Sequence, residues 1–267
     1  MVRREQRIAL TLPGQSVTRR ADYYEIVVSS LACRRLILDD ALAQFATRAE
    51  ALAEVATRLV ETLRSGHKVL VAGNGGSAAE AQHFAAELVG RFKRERVAYA
   101  VHSLTTDTSI LTAVANDYGY AEVFARQVQG LSQSGDLLLL FSTSGESENL
   151  IRAALMAQRC QVTVAAITGD HASRLEDIAH VTVRVPVVDT AVAQELHMMV
   201  THILCDITES ELAKYDGQPY RPDENVYPIP TDNELRSSFA QPVGDACVPT
   251  ADERRVRSEQ GKVDAGI

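Results

Sequence analysis

Five short apolar runs of strand length, separated by stretches with helical periodicity, constrain this chain more than any other feature. They are "KVLVAG" (68–73), "AYAVHSL" (98–104), "DLLLLFS" (136–142), "TVAAIT" (163–168) and "HVTVRV" (180–185). Helical stretches lie between them at 77–90, at 106–115 continuing through 120–132, at 147–159 and, more weakly, near 172–178; a last one spans about 190–213. Strand–helix alternation of this kind demands right-handed crossovers, hence parallel strands in one sheet covered on both faces. The expected fold is α/β: a doubly wound, three-layer sandwich around a five-stranded parallel sheet, with helices added at its N-terminus. Those helices come from residues 21–65, where apolar positions recur at three- and four-residue spacing. The stretch is long for one helix, so two are expected, with a break near Leu38–Asp40.

Residues 1–20 are expected to form a loose arm and 21–213 a single domain. Residues 214–267 hold six of the chain's eight prolines and little periodicity, so an extended or disordered tail is expected there. A formal net charge of −8 argues against a basic nucleic-acid footprint, and no nucleic-acid partner is expected. Four cysteines without CxxC spacing argue against a disulfide framework or a cysteine zinc site, which fits a reducing compartment. The apolar part of the N-terminus, "IALTL", is too short for a signal-peptide core, and no run approaches membrane-spanning length. A cytoplasmic protein with no membrane partner is therefore expected.

Two loops carry chemistry. In "AGNGGSA", Gly73, Gly75 and Ala78 match a G-x-G-x-x-A turn between strand and helix, which offers free N–H groups and a positive dipole end to an anion. No lysine follows as in a Walker loop, which counts against an ordinary NTPase. In "LLLLFSTSGESENL", Ser142, Thr143, Ser144 and Ser147 supply four hydroxyls at the C-terminal edge of a parallel strand, where open α/β sheets bind ligands. Neutral donors beside a helix N-terminus suit a phosphate monoester, although Ser147 also stands where a helix cap would.

Beyond the first loop, His83 and Glu87 lie four residues apart and so share a helix face, a spacing that suits metal ligation or acid–base work. The last helix sets Gln194, Glu195, His197 and His202 in an apolar run. Gln194 and His202 are separated by about 12 Å of helix rise, too far for one ion on one straight helix. Either Gln194 precedes the helix proper, or one residue serves a neighbouring subunit's site; an oligomer with shared sites is the simpler account.

The motifs "GNGGSAAEAQHFAAEL", "VANDYGYAEVFARQV", "STSGESENLI", "RVP" and "AQELHMMVTHIL" occur in the order and spacing of the phosphoheptose isomerases. The chain resembles that family, part of the sugar-isomerase (SIS) domain superfamily, over roughly residues 21–213. The resemblance implies that Gly75, Gly76 and Ser77, with Ser142, Thr143, Ser144 and Ser147, hold a sugar phosphate. It implies that Asn74, Asn116, Asp117, Glu87, Gln194 and Arg91 contact the rest of the substrate. It further implies Glu87 and His202 as the acid–base pair and His83, Glu87, Gln194 and His202 as ligands of one Zn2+ per subunit. A homotetramer with sites between subunits is implied as well. The implied reaction converts sedoheptulose 7-phosphate to D-glycero-D-manno-heptose 7-phosphate through an enediol.

Two departures stand out: Glu146 occupies an asparagine position of the family loop, and Val192 a frequent arginine position. Carboxylates at 146 and 148 near a phosphate are unfavourable unless they turn away. Rival readings are a non-catalytic SIS protein similar to the factor that binds the replication initiator, a sugar-phosphate sensor, and a dinucleotide-dependent oxidoreductase. The intact set of His83, Glu87, Gln194 and His202 favours the enzyme over the first. No DNA-binding module supports the second. The third would need an acidic residue for a ribose about 20 positions on, and Asp107, the best candidate at a second strand's end, is farther; its helix would not need His83 or Glu87.

Overall fold

A computed structural model describes the backbone of residues 16–214 and the side chains of residues 23–214. The expected tail, and the expected arm up to residue 15, lie outside the described residues. Helix α1 (Ser16–Ala46) begins earlier than the periodicity indicates and is followed by α2 (Ala49–Arg64). The break between them falls at Thr47–Arg48, not near Leu38–Asp40. Asp39 and Asp40 do not interrupt α1 because each finds a partner one turn away: Arg35 Nε donates to Asp39, and Gln44 Nε2 donates to Asp40 at 2.9 Å. The turn forms where Thr47 Oγ1 donates back to the Gln44 carbonyl and Arg48 pairs with Asp170 at 2.8 Å.

The five expected strands are present as β1 (Val69–Gly73), β2 (Val101–Ser103), β3 (Leu137–Ser142), β4 (Thr163–Thr168) and β5 (Val181–Arg184). All pair in parallel, in the order β2-β1-β3-β4-β5. Helices α3 (Gly76–Val89), α4 (Thr108–Tyr118), α5 (Ala125–Leu131), α6 (Glu148–Arg159), α7 (Arg174–Ile178) and α8 (Thr190–Leu212) complete the domain. The stretch expected to run on from 106 to 132 is broken by Gly119, at φ +89°, and by a single 3-10 turn at Tyr120–Glu122.

The pleat divides the core into two layers. Val69, Val71, Leu137, Leu139, Phe141, Ala165 and Ile167 pack with α2, α3 and α8, whereas Leu70, Ala72, Leu138, Leu140, Val164 and Ala166 pack with α5, α6 and α7. Alternate residues of one strand therefore serve opposite faces, which is why "LLLL" reads as an unbroken apolar run. Each fully buried leucine there contributes about 1.5–3 kcal/mol relative to exposure. Asp107 caps α4 and Asp189 caps α8, each accepting a backbone N–H at 2.9 Å. No helix among the described residues is long and apolar enough to cross a membrane.

Strand order reverses between β1 and β3. Chain leaving β1 turns to one face and chain leaving β3 to the other, so the two chemistry-bearing loops flank a crevice at the carboxyl ends of neighbouring strands.

Candidate active site

The first loop needs backbone that a side chain would obstruct. Gly75 adopts φ +56°, and a Cβ on Gly76 would collide with the Gln194 amide, which lies against it. Helix α3 starts here without a side-chain cap. Ser77 is buried in its first turn. Asn74 is held by a reciprocal amide pair with Asn149, both bonds 2.9 Å, and by the Tyr120 hydroxyl donating to its Oδ1 at 2.9 Å. Asn149 is 3% exposed in the first turn of α6, so this pair joins the first loop to the second. Asn116 and Asp117, exposed and hydrogen-bonded to each other at 2.8 Å, end α4 just before Tyr120.

In the second loop, the Gly145 N–H donates to Ser142 Oγ at 3.0 Å and the Glu146 N–H to Ser144 Oγ at 3.2 Å. His171 Nε2 lies 2.8 Å from the Ser144 carbonyl, so the proton resides on that nitrogen. Ser147 is the N-cap residue of α6, but its hydroxyl makes no capping bond. Both acidic residues turn aside. Glu146 accepts the Arg174 N–H at 2.9 Å; Glu148 pairs with Arg152 at 2.9 Å and with Arg174 at 3.1 Å. Hydrogen bonds from Arg152 and Arg174 hold the Glu148 carboxyl below the usual range.

The second cluster lies farther along α3. His83 Nε2 is 3.0 Å from His202 Nε2 and 3.2 Å from Glu87 Oε1, which unites two helices across 119 residues of sequence. One ligand atom from each of the three falls within 4.8 Å of the others. Donors at Zn–N bond lengths on a tetrahedron sit about 3.3 Å apart, so two imidazoles and a carboxylate at these separations fit such an ion. Burial, reinforced by the nearby His83, lowers the His202 pKa below 6.5, against an opposing pull from Glu87. His197 is different: it is fully buried, 3.4 Å from Glu80, and belongs to the core.

The two clusters are separate within one chain. Ser77 and Glu87 are ten residues apart on α3, about 15 Å of rise. Gln194 lies inside α8, not before it, and sits with the first loop. Arg91, exposed and 3.8 Å from Glu95, sits just beyond the α3 end that bears Glu87.

Residues 38–169 match the SIS domain family model. The chain is 43% identical over 196 residues to a phosphoheptose isomerase of Bradyrhizobium sp. (strain BTAi1), covering 73% of this chain and 98% of that one. The chain belongs to the phosphoheptose isomerase family. A phosphoheptose isomerase of Helicobacter hepaticus is 47% identical over 165 residues, 62% of this chain and 84% of its own. The solved phosphoheptose isomerase of Neisseria gonorrhoeae superposes with a TM-score of 0.64 at 38% identity, covering 70% of this chain and 99% of that one. As in that family, the fold is an α/β SIS domain and the protein is an isomerase.

Several residues around these loops escape a linear reading. Tyr120 and Asn149 orient Asn74, and His171 braces the second loop. The signal for Asn149 was an amide on the buried face of an amphipathic helix; Tyr120 and His171 left none.

Proposed function

We propose that the chain interconverts sedoheptulose 7-phosphate and D-glycero-D-manno-heptose 7-phosphate, as a cytoplasmic homotetramer with one Zn2+ per subunit. The observation that carries this reading is the meeting of His83, Glu87 and His202 in a family of sugar-phosphate isomerases.

The phosphate is held by Ser77, Ser142, Thr143, Ser144 and Ser147, whose neutral hydroxyls sit beside two helix N-termini. Remote binding energy at that end fixes the reacting carbons. Glu87 removes the C1 proton while His202 protonates the C2 oxygen, which gives the enediol; proton return to C2 and loss of the C1 hydroxyl proton give the aldose. Asn74, Asn116 and Asp117 contact the sugar hydroxyls. Glu87 Oε1 is the atom turned to His83, which leaves its second oxygen for the proton; His202 Nε2 is likewise turned to His83, so Nδ1 is the nitrogen left to carry the proton it donates. His83, Glu87 and His202 would hold the metal, with Gln194 from a neighbouring copy as fourth donor. When bound, a zinc ion supplies Lewis-acid polarisation of the carbonyl.

Shared sites follow from the separation along α3. About 15 Å of rise is more than a heptose 7-phosphate bridges between its C2 and its phosphorus, so one copy's phosphate loops are served by another copy's Glu87 and His202. The N-terminal half of α1 supports this arrangement: Tyr23, Tyr24, Ile26, Val27, Val28 and Leu31 are all exposed on it, an apolar patch that a second copy would cover.

The test is turnover of sedoheptulose 7-phosphate by purified protein, as isolated, after chelation and after Zn2+ addition. Glu87→Gln and His202→Ala should each lower kcat by about 10²–10⁴-fold with the fold intact. A folded oligomer inactive under every metal condition would sink the reading.

A further inference from the structure

Glu209 and Arg96 are the most deeply buried ion pair among the described residues, with side chains 0% and 1% exposed, and the proposed chemistry uses neither. Glu209 Oε1 accepts the Phe92 N–H at 2.8 Å, and Oε2 accepts those of Lys93 and Arg94 at 2.8 and 3.2 Å. Arg96 Nε and Nη2 both reach Glu209 Oε1 at 3.0 Å. The rest of the guanidinium caps the end of α3: Nη2 donates to the Glu87 carbonyl at 2.8 Å, and Nη1 to those of Leu88, Gly90 and Val97 at 2.8–3.0 Å. Every charged atom is thus hydrogen-bonded, as a buried pair requires. Such a pair is often no more stabilising than apolar residues of the same volume, so its placement calls for a reason beyond stability.

The placement supplies one. Glu209 follows His202 by seven residues, so both lie on one face of α8, two turns apart. By gripping the 92–94 turn, Glu209 lays Phe92 back along that face. The Phe92 ring stacks on the His202 imidazole, centroids 5.5 Å apart and planes 17° apart. Its neighbour Lys93 places Nζ 5.0 Å from the Phe92 centroid and pairs with Asp206 at 3.2 Å, which holds the turn from the outside. One buried pair therefore fastens the α3 turn bearing Glu87 to α8 two turns beyond His202, and the Phe92 ring it places is the flat surface against the imidazole.

We propose that Phe92, held by Glu209 and Arg96, is a positioning residue that fixes His202 against His83 and Glu87. This rests on the reading of His202 as acid–base group and ligand. Phe92 is only half-buried, so its substitution should leave a folded protein.

The test compares wild type, Phe92→Leu and Phe92→Tyr for kcat and KM with sedoheptulose 7-phosphate, for Zn2+ affinity by chelator competition, and for Tm. Phe92→Leu keeps apolar bulk and loses the flat ring. It should lower kcat about ten- to hundredfold, the penalty of a slightly misplaced group, with KM unchanged and Zn2+ affinity reduced. Phe92→Tyr should retain both. Wild-type kcat and Zn2+ affinity in Phe92→Leu would overturn the proposal, as would equal losses in Leu and Tyr. An inactive wild type in which Phe92→Leu alone loses Zn2+ affinity would overturn the isomerase reading and leave the positioning role standing.

Discussion

In the proposed reaction His202 and Glu87 hold the chemistry, and glycine and cysteine positions give independent access to the same helices. Gly76→Ala should preserve the fold, since alanine is a better helix former. The added methyl must displace the Gln194 amide, so kcat/KM should fall while Tm stays within a few degrees. Unchanged kinetics would mean that Gln194 has no part in the site. Cys205 is fully buried, and burial, with Glu87 and Glu209 nearby, pushes its thiol far above the ordinary range. It should resist alkylation at pH 8 in the native protein and react on unfolding, as read by mass spectrometry. Helical spacing paired His83 with Glu87, and the family resemblance joined His202 to them; polar groups in the apolar run of α8 marked His197 equally, and it belongs to the core. The sequence did not reveal that Gln194 contacts Gly76, a meeting of residues 118 positions apart that no periodicity encodes.

At the scale of elements, the strands were legible because "LLLL" and its neighbours can only be buried on both sides. The α1–α2 break was not, because Asp39 and Asp40 resemble a stop while their i,i+4 partners cancel it. The turn after α3 was equally opaque: nothing in "GRFKRER" announces that Glu209 arrives from α8 to accept its N–H groups. Removing that carboxylate strands a buried guanidinium. Glu209→Ala should cost about 3–5 kcal/mol, because it also leaves the N–H groups of residues 92–94 without their acceptor. Thermal melts of Glu209→Ala against wild type would measure the loss. A loss below about 1 kcal/mol would show that these groups find other partners.

The whole molecule is where sharing of sites between copies can be tested. A Ser144→Asp chain places a negative charge in the phosphate loop; a Glu87→Gln chain lacks the base. Each should be inactive alone. Unfolded together and reassembled, the two should regain activity, because some sites then pair an intact loop with an intact base. No recovery in verified mixed oligomers would confine each site to one chain. Val27→Lys on the exposed face of α1 should dissociate the proposed oligomer, as read by light scattering, and abolish turnover without unfolding the protein. The sheet order carries a further consequence. β1 pairs on its inner side with β3, Val69 against Leu137, with the β2 excursion made in between. During synthesis, β1 emerges long before its central neighbour exists, and only the edge strand β2 can join it meanwhile. A nascent chain that has not yet released residue 142 from the ribosome exposes a half-built sheet with one bare apolar edge. Holdase chaperones should bind that stage, and the completed β3 should release them.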